Sequence, residues 1–323
     1  MGLEKMGRKV AITTSSFGQF DQEPLDLLKE NSLEFCLNPF KRAIHSDETI
    51  SLLRGCCAVL AGTEIYNKEI LMKLKDLKVI SRVGVGLDNI DQKAIEDLGI
   101  KLYTTHNEHA QAVAELVIGY IFDLLRHITI SHIHTCQGNW QKRMGSLVKG
   151  KKLSVLGYGR IGQAVGRLAS ALGLEVFYYD PFVRDARLVG KFVEFDQLLK
   201  EADILTLHLN YSEDKYHLIG KEELSWMKTT SYLINTSRGS IIDEEALHGA
   251  LKEKKIAGAA LDVFEKEPYN GPLKNLDNVL LTPHMGAYAK EARIQMEKQA
   301  VLNLLEGLRE VDFLNEIKVK GER

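Results

Sequence analysis

Residues 151–180 read KKLSVLGYGRIGQAVGRLASALGLEVFYYD, and this stretch limits the possible folds most tightly. An apolar run, LSVLG, meets Gly157, Gly159 and Gly162 in GxGxxG spacing. A helix-forming segment follows, and then a second apolar run that ends in Asp180. The spacing predicts a strand, a glycine turn, a helix and a parallel strand, the first unit of a doubly wound sheet. Glycine suits such a turn because the backbone bends sharply and approaches whatever binds there. The helix opening at Arg160 and Ile161 aims unpaired N–H groups and its positive dipole end at the turn, a seat for a pyrophosphate. Asp180, 18 residues beyond Gly162, can accept both ribose hydroxyls and repel a 2′-phosphate, which favours NAD over NADP. Arg184, close by in sequence, works against that preference.

The same alternation fills the rest of the chain. Apolar runs at 10–14, 33–37, 57–61, 77–83 and 100–104 read as strands, separated by helical segments at 24–31, 47–54, 67–75 and 89–98. Later strands are expected at 203–209, 231–236, 257–264 and 278–282. Continuous apolar runs joined by helices imply an α/β fold of two domains, each a parallel sheet flanked by helices. Residues from Ala110 to about His132 read as one long buried helix that crosses between the domains, and a last helix at 287–308 returns to the first.

Composition excludes several classes of function. A net charge of −2 gives no basic field for nucleic acid or an anionic membrane. No apolar run approaches the ~20 residues that span a bilayer. The opening MGLEKMGRKVAITTSS has no leader-like apolar core, and the four cysteines have no CxxC spacing, so a reduced, cytoplasmic protein is expected. His132, His134 and Cys136 do not complete a metal set, and none is expected. Cys56 and Cys57 read as packing at a strand start, and Trp140 and Trp226 as core or interface aromatics.

Ligands of open parallel sheets bind beyond the carboxyl ends of the strands. There the late strands deliver Arg238 after SYLINTS, Asp262 and then Glu267 after AGAAL, and His284 after NVLLTP. A cation, a carboxylate and an imidazole beside a nicotinamide suit hydride transfer at a carbon bearing a hydroxyl and a carboxylate. Histidine can take or give the hydroxyl proton near neutral pH. Glu267 would orient the ring and favour the imidazolium, while Arg238 could grip the substrate carboxylate and polarise the carbonyl.

SRVGVGLDNID (81–91), AVAE (112–115), GYGRIG (157–162), NTSRGSIIDEEAL (235–247), ALDVFEKEP (260–268) and TPHMGA (282–287) together carry a family resemblance. The chain resembles the D-isomer-specific 2-hydroxyacid dehydrogenases, most of all the phosphoglycerate dehydrogenase-like branch. The resemblance implies a flavodoxin-like substrate-binding domain, 1–105 plus 288–323, and a Rossmann NAD-binding domain, 106–287. It implies Arg238 as substrate-binding arginine, Glu267 as catalytic glutamate and His284 as acid/base. Cofactor positions are Gly157, Gly159, Arg160, Ile161, Gly162, Asp180, His208, Thr236, Ser237, Asp262 (against the nicotinamide amide) and Gly286. Substrate positions are Arg82 and the backbone of Val85 and Gly86, with Arg238. A homodimer is the family expectation.

The substrate is less sharply drawn. 3-Phosphoglycerate leads, with glyoxylate or hydroxypyruvate reduction as the alternative. The loop AGTEIY after the third strand holds Glu64 and no arginine for a phosphate, although Arg82, Ser15 and Ser16 could serve an anionic tail. The loop at 105–111, with His106 and His109, departs from the family pattern and reads as a hinge contact. The chain ends at Arg323, so no regulatory domain and no feedback by serine are expected. An NAD-sensing corepressor is the alternative of another class, and a formate or alanine dehydrogenase a third; formate has no α-hydroxyl for His284 to deprotonate.

Overall fold

The computed structural model describes residues 8–105, 109–185 and 187–321, with side chains described to residue 312. The chain divides into two compact units, Met1–Glu108 with Ala289–Arg323, and His109–Tyr288. His106 lies outside the described residues.

The first unit is built on β1 (Lys9–Ile12), β2 (Glu34–Leu37), β3 (Ala58–Ala61), β4 (Val79–Arg82) and β5 (Lys101–Thr104). All pair in parallel, in the order β2-β1-β3-β4-β5. Helices α1 (Glu23–Glu30), α2 (Ser46–Leu53), α3 (Lys68–Lys73) and α4 (Gln92–Asp97) connect them. Asn67 and Asp91 cap α3 and α4 through their side-chain oxygens, a local reason for those helices to start where they do. β3, AVLA, is buried at every position, which requires cover on both faces. The carboxy-terminal helix, Lys290–Gly321, supplies part of that cover: Ser81 donates to the carbonyl of Ala300, and Asn303 to that of Thr104.

The second unit begins with α5 (Ala110–Arg126) and α6 (Ile128–Cys136). Here the expected single helix from Ala110 to His132 is broken. His127 takes a left-handed conformation (φ 55°), and Asp123 accepts both the His127 N–H on its carbonyl and the Thr129 N–H on its carboxylate. The apolar pattern runs on across the break, so periodicity alone does not reveal it. Cys136 Sγ stands 3.7 Å from a ring nitrogen of His132, and His134 faces Arg143.

Next come β6 (Lys152–Leu156), α7 (Arg160–Ala171), β7 (Glu175–Tyr179), the short β8 (Lys191–Phe192), α8 (Phe195–Glu201), β9 (Ile204–Leu207) and α9 (Lys221–Trp226). The unit ends through β10 (Tyr232–Asn235), α10 (Glu244–Lys252), β11 (Gly258–Leu261) and β12 (Val279–Leu281). The sheet order is β12-β11-β10-β9-β6-β7-β8, parallel throughout. Period-2 alternation divides its side chains between two cores. Leu153, Val155, Ile204, Ile234 and Ala260 face α5 and α7, whereas Leu205, Leu207, Leu233, Ala259 and Leu261 face the other side. No helix among the described residues is long and apolar enough to cross a membrane.

Candidate active site and its relatives

In the second unit the strand ends converge on two adjoining features, a glycine-lined turn and a charged cluster. The turn follows β6. Gly157 has φ +89°, a region that disfavours side chains, and an added Cβ would lie 2.5 Å from the His208 carbonyl oxygen. A Cβ on Gly162 would meet the Gly157 carbonyl at 2.2 Å, so this glycine lets α7 press against the turn. At Gly159 a Cβ would meet nothing within 4 Å, and this residue caps α7 without a side-chain hydrogen bond. Space and helix N–H groups are therefore available where a pyrophosphate would sit.

Asp180, just past β7, accepts the Tyr158 N–H at 2.7 Å on one oxygen and the Phe182 N–H at 2.9 Å on the other. It thereby braces the glycine turn, and its remaining lone pairs can receive ribose hydroxyls. Arg184 pairs with Glu194 at 3.6 Å and lies over the Phe192 ring. Near this turn, Thr236 Oγ1 and His208 Nδ1 are buried without a partner among the described residues. Although His208 as a residue is half-buried, its ring is enclosed; Nε2 lies 2.9 Å from Thr206 Oγ1, and desolvation pulls the pKa down to about 3. A neutral ring with an open nitrogen, the free cradle and Asp180 all fit a dinucleotide.

The charged cluster lies at the ends of β10, β11 and β12. At the end of β10, Asn235 accepts the N–H and hydroxyl of Ser237 and donates to the carbonyl of Arg238. This turn packs flush against the chain leaving β11, because a Cβ on Gly239 would lie 1.9 Å from the Phe264 carbonyl carbon. Arg238, half-buried, donates to the Ser237 carbonyl at 2.7 Å. Glu267 accepts the Phe264 N–H on one oxygen, while its other oxygen lies 2.8 Å from His284 Nδ1. The Glu267–Pro268 peptide is cis. Burial pushes the Glu267 carboxyl up, but the hydrogen bond and charge of His284, the Phe264 N–H and the Arg238 charge together hold it below the usual range. A neutral imidazole in this pairing carries its proton on Nδ1 and leaves Nε2 as an acceptor.

His284 has φ 53°, left-handed, and its N–H bonds to the Thr282 carbonyl. Asp262 fixes this turn. It is only 1% exposed, and its carboxylate accepts the Met285 N–H at 2.8 Å, the Gly286 N–H at 2.7 Å and the Thr282 hydroxyl at 2.5 Å. The Tyr120 hydroxyl on α5 joins the network through a short bond to Thr282. Sequence reasoning missed this support; its only trace was a tyrosine on the buried face of α5. Arg82, Val85 and Gly86 lie together at the end of β4 in the first unit, where Arg82 Nε donates to the Gly86 carbonyl at 3.1 Å.

A doubly wound sheet with a dinucleotide cradle and this cluster defines an NAD-dependent dehydrogenase. The model for the D-isomer specific 2-hydroxyacid dehydrogenase NAD-binding domain matches residues 118–286. A glyoxylate reductase from Thermococcus litoralis is 38% identical over 256 residues, 75% of this chain and 77% of that protein. A D-3-phosphoglycerate dehydrogenase from Methanocaldococcus jannaschii is 40% identical over 242 residues, 73% of this chain and 46% of the relative. A solved Thermus thermophilus structure superposes with TM-score 0.86 at 31% identity, covering 93% of this chain and 97% of that one. The chain belongs to the D-isomer-specific 2-hydroxyacid dehydrogenase family and is an NAD-dependent oxidoreductase.

Proposed function

We propose that Arg238, Glu267 and His284 carry out reversible hydride transfer between a small D-2-hydroxyacid and NAD. The 2.8 Å contact between His284 Nδ1 and Glu267 is the observation that carries this reading. NAD supplies the hydride acceptor, or the hydride in the reverse direction. His284 Nε2 takes the hydroxyl proton during oxidation and returns it to the nascent alkoxide during reduction. Glu267 fixes the ring's tautomer and stabilises the imidazolium that forms. Arg238 binds the substrate carboxylate and polarises the carbonyl oxygen.

Gly157, Gly159, Arg160, Ile161 and Gly162 hold the pyrophosphate, and Asp180 the adenosine ribose. His208, Thr236, Ser237, Asp262 and Gly286 line the nicotinamide end. The first unit acts as the substrate-binding domain, with the Val85–Gly86 backbone and Arg82 receiving the acid. The enzyme works as a homodimer in the cytoplasm. Supporting this, Trp140 is 84% exposed in a segment that also exposes Met144 and Leu147, a patch suited to a partner subunit. The four free cysteines suit a reducing compartment.

The test is NADH oxidation, followed by absorbance, against a panel of 2-oxoacids. Turnover of at least one short member is expected. Tight NADH binding without turnover of any would overturn the enzymatic reading in favour of a dinucleotide-sensing role.

A further inference from the structure

Glu267 sits on a segment that its surroundings hold weakly. Residues 265–268 are all exposed, so side-chain packing does little to fix them, and among the described residues no backbone–backbone hydrogen bond reaches them. Yet Glu267 must meet His284 Nδ1 at 2.8 Å. A catalytic group displaced by about 1 Å can cost about 100-fold in rate. The segment needs an anchor.

Glu265 and Glu244 provide one. The Glu265 N–H donates to Glu244 Oε1 at 2.7 Å, and the Glu244 N–H donates to Glu265 Oε1 at 3.2 Å. Each residue gives its backbone donor to the other's carboxylate, a reciprocal clasp. Glu244 opens α10, so its N–H is one of the donors left free at the positive end of that helix, where a carboxylate is favoured. His217 completes the arrangement. Its Nε2 lies 3.0 Å from the same Glu265 oxygen, and its Nδ1 lies 3.9 Å from Asp243 Oδ2. The histidine is itself fastened, with its N–H on the Ser240 carbonyl at 2.9 Å and its ring stacked on Tyr216. The Gly239 turn after Arg238 presses on the clasped chain too, since an added Cβ there would lie 2.4 Å from the Glu265 nitrogen. Burial and the charges of Glu265 and Glu267 push the Glu244 carboxyl up, against the Glu265 N–H and His217, which places Glu244 within reach of the catalytic pair.

We propose that Glu244, Glu265 and His217 are positioning residues, a clasp that sets Glu267 against His284 and acts through Glu267 alone. The proposal rests on the reading of His284 as acid/base. The charged groups that act on Glu267 are His284 and Arg238, with Glu244 beside them. With the clasp closed, Glu267 favours the imidazolium. With it open, residues 265–268 relax toward solvent, and His284 holds its proton less tightly. The clasp therefore sets how the histidine titrates as well as how fast it transfers.

The test is the pH profile of kcat/KM for NADH-driven reduction, using the fastest of glyoxylate, pyruvate, hydroxypyruvate and hydroxypyruvate 3-phosphate. Reduction needs the protonated ring, so the rate falls as pH rises through the pKa of His284. Glu244→Ala should lower kcat at least about tenfold and move that fall at least about 0.5 unit toward lower pH, with NADH affinity within about threefold. Glu244→Gln keeps an acceptor for the Glu265 N–H and should recover most of both losses. Glu265→Ala, at an exposed position, opens the clasp from its other side and should repeat the shift even if Glu244→Ala does not fold. In a Glu267→Gln background Glu244→Ala should add no further shift. An unmoved profile in both folded alanine variants overturns the proposal, because a merely structural bond lowers Tm without changing how His284 titrates. A Glu244→Gln profile matching that of Glu244→Ala overturns it as well, as does an added shift in the Glu267→Gln background. If wild type binds NADH and reduces none of the four acids, the acid/base reading itself has failed and the clasp's role falls with it.

Discussion

Replacing Asp262 with asparagine changes one atom of the side chain and is expected to release His284 from its position. A left-handed conformation costs a residue with a Cβ about 1–2 kcal/mol. Against that cost stand the bonds of Asp262 to Met285 N–H, Gly286 N–H and the Thr282 hydroxyl. Hydrogen bonds to a charged group contribute about 1.5–3 kcal/mol each, and a buried donor left unpaired costs about 1–3 kcal/mol. Asparagine offers one acceptor oxygen and turns an N–H-bearing group toward the second backbone donor. The turn then loses about 3–6 kcal/mol of support, more than the left-handed residue needs. A fall in kcat of at least about 100-fold, equivalent to ~2.7 kcal/mol, is expected. NADH affinity by fluorescence should change much less, and thermal unfolding shows whether the fold survives. If kcat stays within about threefold and only NADH affinity weakens, Asp262 does not hold the His284 turn and this reasoning fails.

Glu267→Gln tests the sign of the dyad's electrostatics. Because the folded carboxyl lies below its ordinary 4.5, its contribution to stability is complete above that value and is lost as pH falls through the lowered one. The Tm difference between wild type and Glu267→Gln should hold from neutral to mildly acidic pH and close only below the usual glutamate range; closure near neutrality would refute it. Gly157→Ala should lower Tm, since it combines φ +89° with a 2.5 Å backbone clash, whereas Gly159→Ala should leave Tm unchanged and weaken NADH binding. Equal Tm values for the two would contradict the cradle geometry. Trp140→Ala should shift sedimentation toward a monomer, and an unaltered dimer would remove Trp140 from the interface.

The sequence made the cofactor half of the second unit legible because its signal is local: glycines where backbones touch, an acid at the next strand end. The charged cluster was legible for a related reason. Strand ends in a parallel sheet share one rim, so Arg238, Glu267 and His284 could be placed there without knowing distances. The support beneath His284 was not legible, because Tyr120, Asp262 and Thr282 are far apart in sequence and meet only through packing. The break at His127 was hidden for the opposite reason, since the left-handed His127 ends one helix and the Asp123 carboxylate caps the start of the next inside a continuing apolar pattern. Two-residue β8 is too short to carry a period. Glu64 was visible as a charge in a loop, but its burial and its three donors needed the folded first unit.

Rapid mixing of NADH-loaded enzyme with saturating 2-oxoacid, comparing wild type with His284→Gln, tests the proton-transfer role most directly. Loss of the general acid should slow NADH oxidation by about 100- to 10,000-fold while NADH affinity changes less than about threefold. A His284→Gln enzyme that oxidises NADH at the wild-type rate would show that the proton comes from elsewhere.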